Sequence, residues 1–294
     1  MTSDSWFQKK TYEYLSQYAE KLAPQFQDVK KDLQQADMDY SLLEYLSLAL
    51  GSSLMVFVVM VPMTSLVIGL LVGGLSGIIA GMIFGLFVAM FISAAVFMGF
   101  YVYPSIQVSK RRSNINHNLP FAAMYLSTVA GTGTPPAAMF RLLGNFDEYG
   151  EVSTEAENIA EDIYTFGADL DEALKNAADR TPSDKFKELL YGINSVVTTG
   201  GDLRSYMQEK TSTYMDDYRR ELDQFTSILS LLVEMYITLV IVGSVLLMVL
   251  TTIMSTFGTS TIVILGIQMA ATFIILPMAA IFFIILVKGT SPTD

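Results

Sequence analysis

The chain has no cysteine and a single histidine, His117. The first absence excludes disulfides and thiolate chemistry, and the second excludes a histidine-rich metal site. Charge is missing on a larger scale. From Tyr45 to Ser109 no Asp, Glu, Lys or Arg occurs in 65 residues, and from Met235 to Val287 none occurs in 53. A membrane span needs about 20 apolar residues, so each block holds two helices joined by a short loop. No stretch alternates as a strand does. The N-terminus does not read as a signal peptide, because Asp4, Glu13 and Glu20 interrupt it and no apolar run starts before Leu42.

All 18 Lys and Arg lie outside the two uncharged blocks. Lys110, Arg111 and Arg112 follow the first block, Arg219 and Arg220 approach the second, Lys288 closes it, and neither hairpin tip carries a base. The positive-inside rule then places both termini and the middle segment in the cytoplasm of a multi-pass protein of the cell (inner) membrane. The expected fold is an all-α membrane protein: four transmembrane helices in two hairpins, with a cytoplasmic six-helix bundle between them. The expected divisions are 1–44 (amphipathic N-terminal helices), 45–109 (first hairpin), 110–226 (bundle), 227–288 (second hairpin) and 289–294 (tail). The net charge of −11 resides outside the spans, with 19 acids against 12 bases in 110–223 and 8 against 5 in 1–44. That balance argues against nucleic acid as a partner.

Phe7, Thr11, Tyr14, Leu15, Tyr18 and Leu22 recur at helical spacing and predict an amphipathic helix ending before Pro24. Trp6, Lys9 and Lys10 suit either the lipid headgroups or packing on the middle domain. A second short helix carries Phe26, Val29 and Leu33, and the chain turns at Asp37-Met38-Asp39. In the first hairpin Gly69, Gly73, Gly77, Gly81 and Gly85 stand four apart, with Ala89 and Ser93 extending the stripe and Gly73-Gly74 forming the outer turn. Small residues at this period let helices approach closely in lipid, either within the hairpin or between subunits. Pro62 and Pro277 fall inside spans and predict kinks.

The middle segment is punctuated as six helices. Asn118 is expected to cap the first, which contains Pro120 and ends at Gly131. Thr134 caps the second, ending at Gly144, and the third runs from Glu148 to Phe166. Asp169 opens the fourth, Thr181-Pro182 the fifth, ending at Gly200, and Asp202 the sixth, with no breaker before the third span.

The residues do not assemble an enzyme. Gly131-Thr132-Gly133-Thr134 lacks the Gly-Lys-Ser/Thr of a phosphate loop, His117 has no second ligand, and Ser195 lies in mid-helix with only His117 as a conceivable base. No cofactor or metal site is expected. Two charge features remain. Between Arg141 and Lys175 stand ten acids and no base, including Glu148, Glu151, Glu155 and Glu161. They form either a solvated face or a docking surface. Glu234 adjoins the second uncharged block and is either interfacial or inside the third span.

Certain segments resemble a family. Asn118-Leu119-Pro120-Phe121-Ala122-Ala123-Met124-Tyr125-Leu126 with Ala130-Gly131, Phe166-Gly167-Ala168-Asp169-Leu170-Asp171-Glu172-Ala173-Leu174, and Thr199-Gly200-Gly201-Asp202-Leu203 are similar to the helical F domain of type II secretion and type IV pilus platform proteins. Residues 36–46, approaching the membrane, resemble the corresponding segment of the archaeal and Tad branches. The resemblance implies a platform coupling a cytoplasmic secretion ATPase to extraction and polymerisation of type IV-like pilins. Members of the family typically carry two F domains and this sequence shows one, a departure that favours the Tad-like arrangement, in which a second platform subunit, itself or a paralogue, works beside it among membrane lipids. The rival readings are a small transporter or channel and a membrane-anchored helical scaffold.

Overall fold

The structure is a computed structural model that describes residues 6–38, 40–72, 74–258 and 260–290, and among these every regular element is helical. Four helical stretches are long and apolar enough to cross a membrane: 42–69, 81–130, 203–256 and 262–289. The chain divides into two compact units, residues 1–207 and 208–294.

In the first unit α1 (Trp6–Leu22) stops before Pro24, and a 3₁₀ turn leads into α2 (Gln27–Gln35). Phe26, expected inside the second helix, is its N-cap residue, while Val29 and Leu33 are buried against Tyr45. The helix that α1 packs on is α3 (Leu42–Val72): Thr11 and Leu15 lie against Gly51, with the Thr11 methyl occupying the space a Cβ would need. The side chains of Trp6, Lys9 and Lys10 lie outside the described residues.

α3 pairs with α4 (Gly74–Ala130) along the predicted small-residue stripe. A Cβ at Gly81 would stand 3.0 Å from both the Cα and the carbonyl oxygen of Ser65. At Gly85 it would collide with the Thr64 hydroxyl, and Ala89 is fully buried. These three positions are therefore spent on contact within the hairpin. Gly69 is half-buried, whereas Gly73 and the packing at Gly77 lie outside the described residues.

The largest departure from expectation is that the first bundle helix is not a separate element. α4 continues unbroken past Lys110 to Ala130, 57 residues or about 85 Å at 1.5 Å per residue. Asn118 therefore caps nothing; its amide donates backward to the Asn114 carbonyl at 3.0 Å, within the helix. Pro104 and Pro120 are both buried inside α4. Below residue 110 its inward face, Ile115, Leu119, Ala122 and Leu126, is fully buried and forms one wall of the bundle core. Full burial of each large side chain contributes about 1.5–3 kcal/mol.

α5 (Pro136–Leu143) is preceded by Pro135 rather than Thr134, whose hydroxyl pairs with that of Thr132 at 2.8 Å, and it ends at Gly144 as expected. α6 (Glu151–Tyr164) starts at Glu151 because Asp147–Tyr149 form a 3₁₀ turn. α7 (Leu170–Arg180) is capped by Asp169 as predicted. α8 (Asp184–Thr199) is capped by Ser183, not Thr181, since the Ser183 Oγ accepts from the Phe186 amide at 3.2 Å. It ends at Gly200, whose φ of 70° is the left-handed conformation that glycine enters without steric cost. Asp202 opens α9 (Leu203–Thr256), accepting from the Arg204 amide at 3.0 Å. As the lack of a breaker predicted, α9 is one helix of 54 residues.

In the second unit α9 is joined by α10 (Thr261–Ala270), a π-helical turn at Ala271–Ile275, and α11 (Leu276–Thr290). The wide turn immediately precedes Pro277, which has no amide to donate back into it. Tyr236 and Phe283 meet edge to face at 5.1 Å, and Gln268 donates to Thr251 at 3.3 Å.

Candidate functional site

Where α4 passes the end of the first uncharged block, its polar side chains hold the surrounding segments. Asn114 Oδ1 accepts from the Glu151 amide at 2.9 Å, capping α6 from outside because Gly150 supplies no side chain. Gly150 has φ 55°, and a Cβ there would come within 2.6 Å of Asn114 Oδ1, so both conformation and space favour glycine. Arg112 Nε donates to the Pro182 carbonyl at 2.7 Å, and Ser183 Oγ donates to Asn116 Oδ1 at 2.5 Å, fixing the α7–α8 turn.

Arg111 lies at the centre of this junction, with a side chain only 5% exposed. Its Nε donates to Glu151 Oε2 at 2.9 Å and its Nη2 to Glu155 Oε1 at 2.9 Å. Nη1 reaches the Gln35 carbonyl at 3.1 Å, and Nη2 also reaches Asp37 Oδ2 at 3.3 Å. One guanidinium thus ties together the N-terminal segment, the membrane-crossing helix and α6. Its planar fork of five donors suits several acceptors at once, which an ammonium on a flexible stem does not match.

Asp37 reaches Arg111 through a specific helix ending. The Met38 amide bonds the Leu33 carbonyl at 3.1 Å and the Asp37 amide bonds Gln34 at 3.3 Å, the paired bonds of a Schellman stop. Asp37 occupies the left-handed position at φ 56°, the only non-glycine among the described residues with positive φ. That conformation costs an ordinary residue about 1–2 kcal/mol, less for Asp. Here a carboxylate bonded to Arg111 stands where glycine is the usual choice.

Glu155 is fully buried, and its second oxygen stands 3.5 Å from Arg180 Nη2. Burial pushes its carboxyl above the ordinary range, and the attraction of Arg111 and Arg180 only partly opposes this. Desolvation thus outweighs the pairing, as expected for buried ions. Removing either arginine would leave the carboxylate with only the other to compensate it.

This geometry divides the acidic run. Both Glu151 and Glu155 bond Arg111, but Glu155 is fully buried while the Glu151 side chain stays 38% exposed, so of the group Glu148, Glu151, Glu155 and Glu161 it is Glu155 that is withdrawn from the surface. Glu148, Glu157 and Glu161 are exposed. Arg111 itself was grouped with Lys110, Arg112, Arg219 and Arg220 as a membrane-edge charge, and it is the one that is buried. Lys110 is exposed, while Arg219 and Arg220 pair with Asp216 and Asp217 on the surface of α9. Glu234 is exposed on α9, and His117 lies within α4 rather than in a loop. Asn114, Asn116 and Arg180 were not singled out by sequence, and Asp37 was read only as part of the turn at Asp37-Met38-Asp39.

Residues 122–251 match the family of Type II secretion system (T2SS), protein F. An uncharacterized protein of Methanocaldococcus jannaschii is 27% identical over 204 residues, 66% of this chain and 33% of the relative. Flagella accessory protein J of the same organism is 25% identical over 137 residues, 46% of this chain and 24% of that relative. The chain therefore spans about a third or less of the length of these curated relatives. No solved structure matches it.

Proposed function

We propose, for a chain whose residues 122–251 match the type II secretion system F-domain family, that it is the platform subunit of a type IV filament machine of the pilus, Tad-like or archaeal kind. It has no catalytic role of its own. A cytoplasmic secretion ATPase supplies the energy, and the platform passes it to extraction and polymerisation of pilin-like subunits. The likeness to Flagella accessory protein J supports the archaeal branch of this reading. In this reading the bundle and both termini are cytoplasmic, in keeping with the bases that flank the uncharged blocks.

The observation that carries the proposal is the continuity of α4 with the bundle. One helix of 57 residues is both a membrane-spanning element and a wall of the bundle core, and Arg111 pins α6 and the N-terminal segment to it. A displacement of the bundle is thereby delivered to the hairpin without a flexible linker. The ATPase docks on the exposed acids Glu148, Glu157 and Glu161, the outward part of the ten-acid run. Exposed charges are screened beyond about 8 Å at physiological salt, so several must be reversed together to abolish docking.

The test is co-purification of the ATPase with the full chain from detergent-solubilised membranes. Wild type retains it, and the Glu148→Lys, Glu157→Lys, Glu161→Lys variant loses it while remaining in the membrane at wild-type amount. Equal recovery of the ATPase by both would refute the acidic docking face.

A further inference from the structure

The helix α1 sits at an unexpected depth. Gly81 faces Ser65 and Ile68, Gly85 faces Val61 and Thr64, and the Tyr45 hydroxyl donates to the Phe100 carbonyl at 2.8 Å. These pairs put α4 residues near Phe97 level with Gly51 of α3. Thr11 packs on Gly51, and just past the other end of α1 Phe26 packs edge to face on Phe97 at 6.0 Å and Tyr101 at 5.7 Å. Thr11 and Leu15 both lie against Gly51, so the first half of α1 packs on α3 at this level.

That level is the edge of the hydrocarbon. α3 ends at Val72 and α4 starts at Gly74. Counting back about 20 residues, enough for a core of about 30 Å, reaches about residue 53 on α3 and 94 on α4. Gly51 and Phe97 stand just beyond these points. The faces of α1 suit that position. Thr11, Leu15 and Ala19 turn toward the hairpin, Ala19 being fully buried. At 100° per residue Tyr14 and Tyr18 flank this stripe, 73% and 62% exposed, while Glu13, Gln17 and Glu20 occupy the opposite side. Tyrosine rings beside a helix at this depth match the aromatic belt of the membrane interface, where one end of the ring is apolar and the other wet.

We propose that α1 is an interfacial helix, held against α3 at the headgroup layer of the membrane that its own hairpin crosses, with Tyr14 and Tyr18 set among the lipid headgroups. This goes beyond the platform reading and does not depend on it.

Because the chain has no cysteine, single spin labels can be placed on it cleanly. The full chain carrying Tyr14→Cys, Tyr18→Cys or Glu20→Cys is labelled and reconstituted in vesicles of phosphatidylcholine and phosphatidylglycerol. Collision with apolar oxygen and with a water-soluble nickel chelate is then measured. The expected result is oxygen-dominated access at positions 14 and 18, corresponding to about 5–10 Å of immersion, and nickel-dominated access at position 20. Nickel access at 14 and 18 equal to that at 20 would place the helix in water and overturn the proposal. Low access of both reagents at 14 and 18 would show that protein covers this face, and would overturn it equally.

Discussion

Arg111→Met keeps the side-chain length and removes the charge. It deletes hydrogen bonds to Glu151, Glu155, Asp37 and the Gln35 carbonyl together. Breaking a buried ion pair by removing one partner costs about 3–5 kcal/mol, because the remaining charge is stranded. At about 1.4 kcal/mol per factor of ten, local opening of α2 and α6 becomes more frequent by about two to three and a half orders of magnitude. Amide hydrogen exchange on the full chain in detergent reads this directly, peptide by peptide. The expected change is confined to peptides covering 27–38 and 151–164. The loss also depends on pH. Glu155 titrates above 4.5 in the folded protein, so between 4.5 and its raised value the folded state binds more protons than the unfolded chain. Its contribution to stability is therefore fully present below 4.5 and is lost as pH rises through the folded value. Removing Arg111 raises that value further, so the variant's deficit grows as pH rises above 4.5. Adding Glu155→Gln should abolish this pH dependence. Exchange in α2 and α6 within threefold of wild type at neutral pH would refute the assignment of Arg111 as the pin.

The small-residue seam should be equally intolerant. Gly81→Leu faces the Ser65 backbone at 3.0 Å, where no side chain can move aside, and overpacking of this kind costs about 1–3 kcal/mol. Spin labels at exposed Leu54 and Phe91 should report a wider separation of α3 and α4; an unchanged distance would show that the seam is not filled by Gly81. For topology, cysteines introduced at Gly74 and Gly258 should react with an impermeant maleimide in intact cells, while those at Lys110 and Arg220 should react only after lysis. Labelling of position 74 only after lysis would invert the orientation.

Much of the architecture is local information and was legible. The uncharged blocks, the caps at Asp169 and Asp202 and the stops at Gly144 and Gly200 each depend on a few adjacent residues. The misplaced starts at Asn118, Thr134 and Thr181 share a cause: a polar residue near a proline reads as a helix start wherever it occurs. Inside α4 that rule fails, because Leu119, Ala122 and Ala123 are fully buried around Pro120. Burial there outweighs the one backbone bond a proline removes. The Arg111 junction was hidden for a different reason. Glu151 and Glu155 lie 40 and 44 residues from Arg111, in a stretch with no base of its own. A feature was nonetheless present: Glu155 borders the helix face of Val152, Ala156 and Ile159, all fully buried. An acid on an apolar face demands a distant partner.

The most direct test of the platform assignment is to delete the gene and count surface filaments, with the pilin and the ATPase followed by immunoblot. The expected result is loss of filaments, with unassembled pilin held in the membrane and the ATPase at normal amount but released to the soluble fraction, all reversed by the wild-type gene. Filaments at wild-type number in the deleted cells would contradict it.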